Sequence, residues 1–368
     1  MQPMASKAIR DAASLAFYAM LLAGGAGLVH ADNIQSEFKA YQTGEPAVEL
    51  PCENKLPIRS AVLMGGGPDV TEAYKWLIGK IDQCGATKLG KFGNVVVIRA
   101  RGNSDYDPFI YELGSVAAVQ TLVVPTREAA NDPALADYIE RAAAVWIAGG
   151  EQGDYYKLWK GTLLERLVHA QIKNRGIPVG GTSAGMMILS EFNYLADPST
   201  VTSSEALENP YSKNQMRLVR DFWIDNDAPD EPTPFPLLRA TVTDSHFDTR
   251  DRMGRLVVFL ARVIEDGWAK PTEARAIGVD RQTALLLEYD EVKTRPLTYI
   301  PKILSNPGVS GSAYILSASK TSKLDVSASN FTFTDVAVTK ISEKSTVNYQ
   351  LDVSNGVLKP IRIDGSIY

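Results

Sequence analysis

From residue 58 the chain alternates short apolar runs with stretches of helical period, and three of those runs end in glycine. Residues 59–64 (RSAVLM) lead into Gly65-Gly66-Gly67. Residues 145–148 (VWIA) lead into Gly149-Gly150, and 177–180 into Gly181-Thr182-Ser183-Ala184-Gly185. Residues 95–98 and 122–124 add two further runs of strand length. Between them, 70–84, 133–144 and 155–173 carry apolar residues at helical spacing, such as Ala73, Trp76, Leu77 and Ile81. Unbroken apolar strands between amphipathic helices predict an α/β fold, with a mainly parallel sheet covered by helices on both faces. In such a sheet the ligand site lies outside the carboxyl ends of the strands, where all three glycine turns fall.

Residues 188–243 are less regular and carry Pro198, Pro210, Pro229, Pro232, Pro234 and Pro236, which reads as an excursion between core elements. A helix is expected over 251–264 and strands over 276–279 and 283–289. The segment 291–368 turns Ser-, Thr- and Val-rich with alternations such as Asn330-Phe331-Thr332-Phe333, predicting short antiparallel strands. These form either a small β-unit or an extension of the sheet. The expected organisation is a lead-in at 32–57, an α/β catalytic domain at 58–290 and a β-rich C-terminal segment at 291–368.

Residues 1–31 read as a secretory signal peptide: Lys7 and Arg10, an apolar stretch from Ala12 to Val29, then Val29-His30-Ala31 as a small-x-small cleavage site. The alternative is an uncleaved N-terminal anchor. Cleavage implies a periplasmic or secreted protein with no stable membrane insertion. Export permits a Cys52–Cys84 bridge, two buried free thiols being the alternative. The net charge is −5 and no long basic run occurs, which argues against nucleic acid as a main partner. Two cysteines and three histidines are too few for a four-cysteine zinc site, and no metal or cofactor is expected.

Gly181-Thr182-Ser183-Ala184-Gly185 has the G-x-S-x-G form between a predicted strand and a predicted helix, the context that makes Ser183 a candidate nucleophile. The Ala184 amide and one from Gly66 or Gly67 are candidate oxyanion donors. A serine nucleophile needs a base. Without the leader the chain keeps two histidines. His169 lies mid-helix and reads as a surface or packing residue. His246, in Asp244-Ser245-His246-Phe247, is the candidate base by elimination.

Gly149-Gly150-Glu151-Gln152, Gly180–Gly185 and Asp244-Ser245-His246-Phe247-Asp248-Thr249-Arg250-Asp251-Arg252-Met253-Gly254-Arg255-Leu256 together resemble the cyanophycinase-like serine peptidases, over about residues 58–290. The leader resembles the exported bacterial branch. The resemblance implies a class I glutamine-amidotransferase-like (flavodoxin-like) α/β fold and a serine, a histidine and a carboxylate as catalytic groups. It also implies a homodimer and a peptide substrate. Cyanophycin is polyaspartate with arginine on each side-chain carboxyl; cyanophycinases release β-aspartyl-arginine dipeptides from it, and a related branch removes N-terminal aspartate from dipeptides. By position, Ser183 is the implied nucleophile and His246 the implied base. Gln152 falls at the family's pocket glutamine. Asp244, Arg250, Arg252 and Arg255 fall at substrate-contacting positions, as does Ser245, where cyanobacterial enzymes carry glutamine. Arg252 and Arg255, three residues apart, share a helix face. From there they could grip substrate carboxylates in fork geometry, with Asp244 pairing a substrate arginine. A solvated helix start is the plainer reading of these arginines.

One departure bears on activity. The family's Gly-Ile-Asp-Glu before Thr-Ala reads Gly278-Val279-Asp280-Arg281-Gln282-Thr283-Ala284 here, so Arg281 stands where the third catalytic residue is implied. Asp280 can replace it only if the backbone bulges, because neighbours on a strand face opposite ways. Asp248 and Glu288 are weaker candidates. The expected function is an exported serine exopeptidase acting on cyanophycin or a related aspartyl peptide. The alternatives are an aspartyl dipeptidase and a catalytically impaired binding homologue. A secreted esterase is disfavoured by the polar segment 244–255.

Overall fold

Strands covered on both faces have no need to alternate polar and apolar residues, which is why the runs beside the glycine turns are unbroken. The computed structural model describes residues 37–47, 60–81, 91–212, 216–220, 222–223, 238–289, 299–327, 330–361 and 367–368. The expected leader, Cys52 and Cys84 lie outside these residues. The first strands are β1 (Lys39–Gly44), β2 (Ser60–Met64), β3 (Phe92–Arg99), β4 (Val116–Val123), β5 (Ala142–Ile147) and β6 (Val179–Thr182). They are followed by β7 (Phe192–Tyr194), β8 (Leu218–Arg220), β9 (Thr241–Asp244), β10 (Arg275–Val279), β11 (Thr283–Tyr289) and β12 (Tyr299–Ser305). The last are β13 (Ser312–Ala318), β14 (Leu324–Asp325), β15 (Thr332–Ser342), β16 (Thr346–Ser354) and β17 (Val357–Ile361). The helices are α1 (Thr71–Ile78), α2 (Tyr106–Glu112), α3 (Ala136–Ile139), α4 (Gln152–Trp159), α5 (Leu163–Arg175), α6 (Ala184–Met187), α7 (Ser203–Glu208) and α8 (Met253–Glu265). Among the described residues no helix is long and apolar enough to cross a membrane.

The first sheet has the order β1-β4-β3-β5-β6-β2-β11-β12. Its centre, β4-β3-β5-β6-β2, is parallel, β1 and β11 run antiparallel to it at the flanks, and β12 pairs antiparallel with β11. Successive residues feed opposite cores. Val62, Val95, Val97 and Trp146 join Tyr74 and Leu77 of α1 and Ile110 of α2 on one side. Leu63, Val96, Ile98 and Ile147 join Leu164, Val168 and Ile172 of α5 on the other.

The expectation of one mainly parallel sheet over 58–290 requires correction. β9 and β10 belong to a second, mixed sheet of order β17-β16-β15-β13-β10-β9-β7-β8, with β14 beside β15. There β9 runs parallel to β7 and β10, and the C-terminal strands continue outward from β10 in antiparallel fashion. An apolar strand reads the same whichever sheet it joins, so periodicity alone could not separate the two. The chain crosses from the second sheet to the first through residues 280–282, between β10 and β11. The almost wholly buried α8 shares one core with both sheets.

Two helices also differ from expectation. The stretch 155–173 is broken at Gly161 (φ 70°), whose amide donates to the Glu165 carboxylate while Lys160 ion-pairs with the same group at 2.8 Å. The stretch 133–144 is a short turn followed by α3, and its last three alanine positions open β5, because alanine carries no strand signal of its own. Close approach fixes Gly180: a Cβ there would be 2.5 Å from Cε3 of Trp146 and 3.1 Å from Cβ of Val62. Gly180→Ala should therefore destabilise the fold by about 1–3 kcal/mol, read as a lower urea midpoint with an unchanged m-value.

Candidate active site

Ser183 follows β6 and opens α6 with φ 53° and ψ −119°, a region that non-glycine residues seldom occupy. Its amide donates to the Met64 carbonyl of β2 at 2.9 Å. The flanking glycines make the turn possible. A Cβ at Gly181 would be 2.5 Å from the Gly185 carbonyl, and one at Gly185 would overlap the Ile147 carbonyl oxygen.

His246 follows β9 and also has a left-handed backbone, φ 46°. Its amide donates to the Gly65 carbonyl at 2.7 Å. Its Nε2 is 2.9 Å from the Ser183 Oγ. With the ring proton on Nδ1, Nε2 accepts from the serine hydroxyl. Burial, and then the positive charges of Arg250 and Arg252, pull the imidazole down to about 4; Asp244 opposes this and Arg281 adds to it. The ring is therefore neutral, and able to take a proton, at neutral pH. Gly66 and Gly67 (φ 92° and 88°) pass directly beneath: a Cβ on Gly66 would be 2.5 Å from the imidazole Nε2.

The residues expected to bind substrate fall elsewhere. Asp244 is fully buried and held by two guanidiniums, Arg255 Nη2 at 2.6 Å and Arg252 Nη1 at 3.2 Å. Arg255 also reaches Thr200 Oγ1 and the Val201 carbonyl, and lies over the Tyr194 ring. Arg252 donates to the Ser245 carbonyl at 2.6 Å, immediately before His246. Arg252 and Arg255, expected to grip substrate, and Asp244, expected to pair a substrate arginine, are thus placed together, the three charges satisfying one another under the histidine turn. Ser245 is buried, with Oγ 3.4 Å from the Met187 sulfur. Gln152 is buried on α4, with Nε2 3.8 Å from that same sulfur. Arg250 is exposed. His169 is buried on α5, away from this cluster.

Asp280 does not take up the missing acid's place. Its Oδ2 accepts from the Ser312 amide at 2.9 Å, and the Tyr314 hydroxyl lies at 3.4 Å, so the side chain turns toward β13. Burial, reinforced by the charge of Asp248, pushes its carboxyl up to about 7. Asp248 instead accepts from the Arg281 amide at 2.9 Å, and Glu288 pairs with Lys80 at 2.8 Å. Among the described residues no carboxylate bonds the Nδ1 of His246. What holds the imidazole is its backbone, fixed by Gly65 and Arg252, with support from the far end of the chain. Tyr368 packs edge-on against Phe247 at 5.8 Å, accepts from the Met253 amide and donates to Asp251.

Ser183 and His246 border a cleft of about 550 Å³ together with Gly66 and Gly67. Asp69, Thr71, Arg99, Asp105, Tyr106 and Phe109, none of them marked by a sequence motif, line the same cleft. Asp69 accepts from the Tyr74 and Tyr106 hydroxyls at 2.8 and 3.0 Å and from Thr182 at 3.1 Å. The signal that could have found Asp69 and Arg99 is topological: both sit at carboxyl ends of central strands.

Because Asp244 is the shared counter-charge of two buried guanidiniums, Asp244→Ala should cost about 3–5 kcal/mol of stability in chemical denaturation, against little for Arg250→Ala at the exposed end of the same turn.

Residues 110–208 match the sequence profile of peptidase family S51. A cyanophycinase from Geminocystis herdmanii (strain PCC 6308) is 22% identical over 246 residues, 64% of this chain and 77% of that protein. A cyanophycinase from Trichormus variabilis is 23% identical over 181 residues, 49% of this chain and about half (51%) of the relative. Among solved structures, a peptidase from an acI-B1 Actinobacterium aligns over 79% of this chain and 97% of its own, with 17% identity and a TM-score of 0.48. The family match over residues 110–208 and the curated relatives agree with one another, and together they support a cyanophycinase-like peptidase of family S51, a family of serine hydrolases.

Proposed function

We propose that the protein is an exported serine exopeptidase that hydrolyses cyanophycin, or a closely related aspartyl peptide, by acyl transfer. The observation that carries this reading is the 2.9 Å approach of His246 Nε2 to Ser183 Oγ at the mouth of the cleft. His246 takes the hydroxyl proton as Oγ attacks the scissile carbonyl carbon. The Ala184 amide and those of Gly66 and Gly67 face the developing oxyanion. His246 then returns the proton to the leaving amine, and water, deprotonated by the same ring, hydrolyses the acyl-serine. A class I glutamine-amidotransferase-like core, export through the leader at 1–31, a periplasmic or extracellular location and a homodimer belong to the same reading.

A second reading is favoured by one observation. Arg281 stands in the acid's place and among the described residues no carboxylate orients Nδ1, an arrangement that costs about four decades in rate in serine enzymes that lose the acid. On this reading the protein binds aspartyl peptides and turns them over poorly. Removal of N-terminal aspartate from dipeptides is the remaining substrate choice within the family.

Purified protein incubated with cyanophycin should release dipeptide, and Ser183→Ala should lower kcat by roughly 10³–10⁶. Release that survives Ser183→Ala would refute the mechanism; no release by the unaltered protein would favour the binding reading. The acid limb of kcat/KM should have its midpoint at about 4, with rate rising as the ring loses its proton and level above. Arg281→Glu replaces a charge that disfavours the imidazolium with one that stabilises it. The limb should move to higher pH and kcat should rise.

A further inference from the structure

Among the described residues, the cleft is lined by one guanidinium that no carboxylate pairs. Arg99 ends β3 and lines the same cleft as the Ser183–His246 pair. It is half-buried, and among the described residues no carboxylate pairs with it. Its position is nevertheless fixed. Nε donates to the Arg101 carbonyl at 2.6 Å and Nη1 to the Asn103 carbonyl at 2.9 Å, so the following loop wraps the guanidinium. A guanidinium has five N–H donors, and these two bonds leave three, both hydrogens of Nη2 among them. Gly102, at φ 113°, keeps the loop clear of that group: a Cβ there would overlap Nη2. The Tyr106 ring lies 5.7 Å from the guanidinium carbon and borders the same cleft.

Of the other charges nearby, the exposed carboxylate of Asp105 borders the cleft without pairing Arg99, and the rest are committed or lie outside the lining. Arg252 and Arg255 are bonded to Asp244 beneath the histidine turn. Arg281, whose side chain lies along Gly67, and Arg250 are exposed and border no part of the cleft. Asp69 has its oxygens covered by three hydroxyls. Half-burial with two anchoring bonds prepares a guanidinium for a planar anion, since little side-chain freedom remains to be lost on binding.

The geometry points to Arg99 as the anion-recognition residue of this cleft, taking a carboxylate of the peptide whose scissile bond lies at Ser183. This rests on the peptidase reading of that cleft. The carboxylate is either the acidic side chain of the residue before the scissile bond or the free C-terminus of the residue after it, and Arg99 is the specificity-determining contact for whichever reaches it.

Three dipeptides separate the two sources: aspartyl-leucine, asparaginyl-leucine and aspartyl-leucinamide. Calorimetric titration of Ser183→Ala protein with each reads binding without turnover, and steady-state hydrolysis by protein with Ser183 intact reads KM and kcat. Replacing the contacted carboxylate by an amide should weaken binding roughly 10- to 100-fold, and Arg99→Gln should erase that discrimination, mainly through KM. Arg99→Lys keeps the charge and the stem but not the fork, and should restore part of it. The inference is overturned if the three dipeptides bind alike, if none binds, or if Arg99→Gln, shown folded by its thermal transition, discriminates as before. Should Arg99→Gln fail to fold, Arg99→Lys decides, an undiminished preference counting against the inference. Loss of calorimetric discrimination without any hydrolysis by the intact protein would uphold Arg99 and remove the peptidase reading. Hydrolysis with discrimination untouched by Arg99→Gln would do the reverse.

Discussion

Three consecutive carbonyls at the end of β2 hold the three turns that make the site. Met64 accepts from Ser183, Gly65 from His246 and Gly66 from Gln282. The Gly65 amide in turn donates to Thr283, the first residue of β11. One strand end thereby sets the distance between hydroxyl and imidazole and draws the cationic Arg281 turn beside them. The glycine run is the steric condition for this. A Cβ at 65 would overlap the Asp280 carbonyl, and one at 66 would sit against the imidazole. Three separate strands, β6, β9 and β10, converge on this edge, which is why a short segment without charged side chains governs the geometry of the chemistry.

Beneath the histidine turn, burial decides the electrostatics. Two guanidiniums share one carboxylate in a space closed to water, so the cluster carries excess positive charge, and the imidazole above it resists protonation. A neutral base is thus secured by desolvation and neighbouring cations. In a serine–histidine–acid arrangement the acid both orients the ring and stabilises its charged form. Here orientation comes from a clamped backbone, and the help that the charge of Asp244 gives the charged form is outweighed by burial and the neighbouring cations. The two functions of the acid are separable, and this site retains chiefly the first.

The parallel core was legible because its strands are unbroken apolar runs and its helices keep a clear stripe. The partition into two sheets was not, since Thr241–Asp244 and Arg275–Val279 would look alike in either sheet. Ser183 and His246 stood out through a motif and a scarcity of histidine. Arg252 and Arg255 illustrate the limit: spacing by three says that they share a face, but not whether that face meets substrate or a buried aspartate. Asp69 and Arg99 belong to no motif and gain meaning only from the strand ends that bring them beside the serine. Helix α2, which carries Tyr106 and Phe109 to the cleft, begins Tyr106-Asp107-Pro108, a start that resembles a loop.

The serine hydroxyl is delivered by the first sheet and its base by the second, with Tyr368 from the far end of the chain bracing the latter. A nascent chain whose parallel sheet has closed before the later strands dock would therefore present an unactivated alcohol. The pairing of hydroxyl and imidazole therefore exists only once both sheets are in place together.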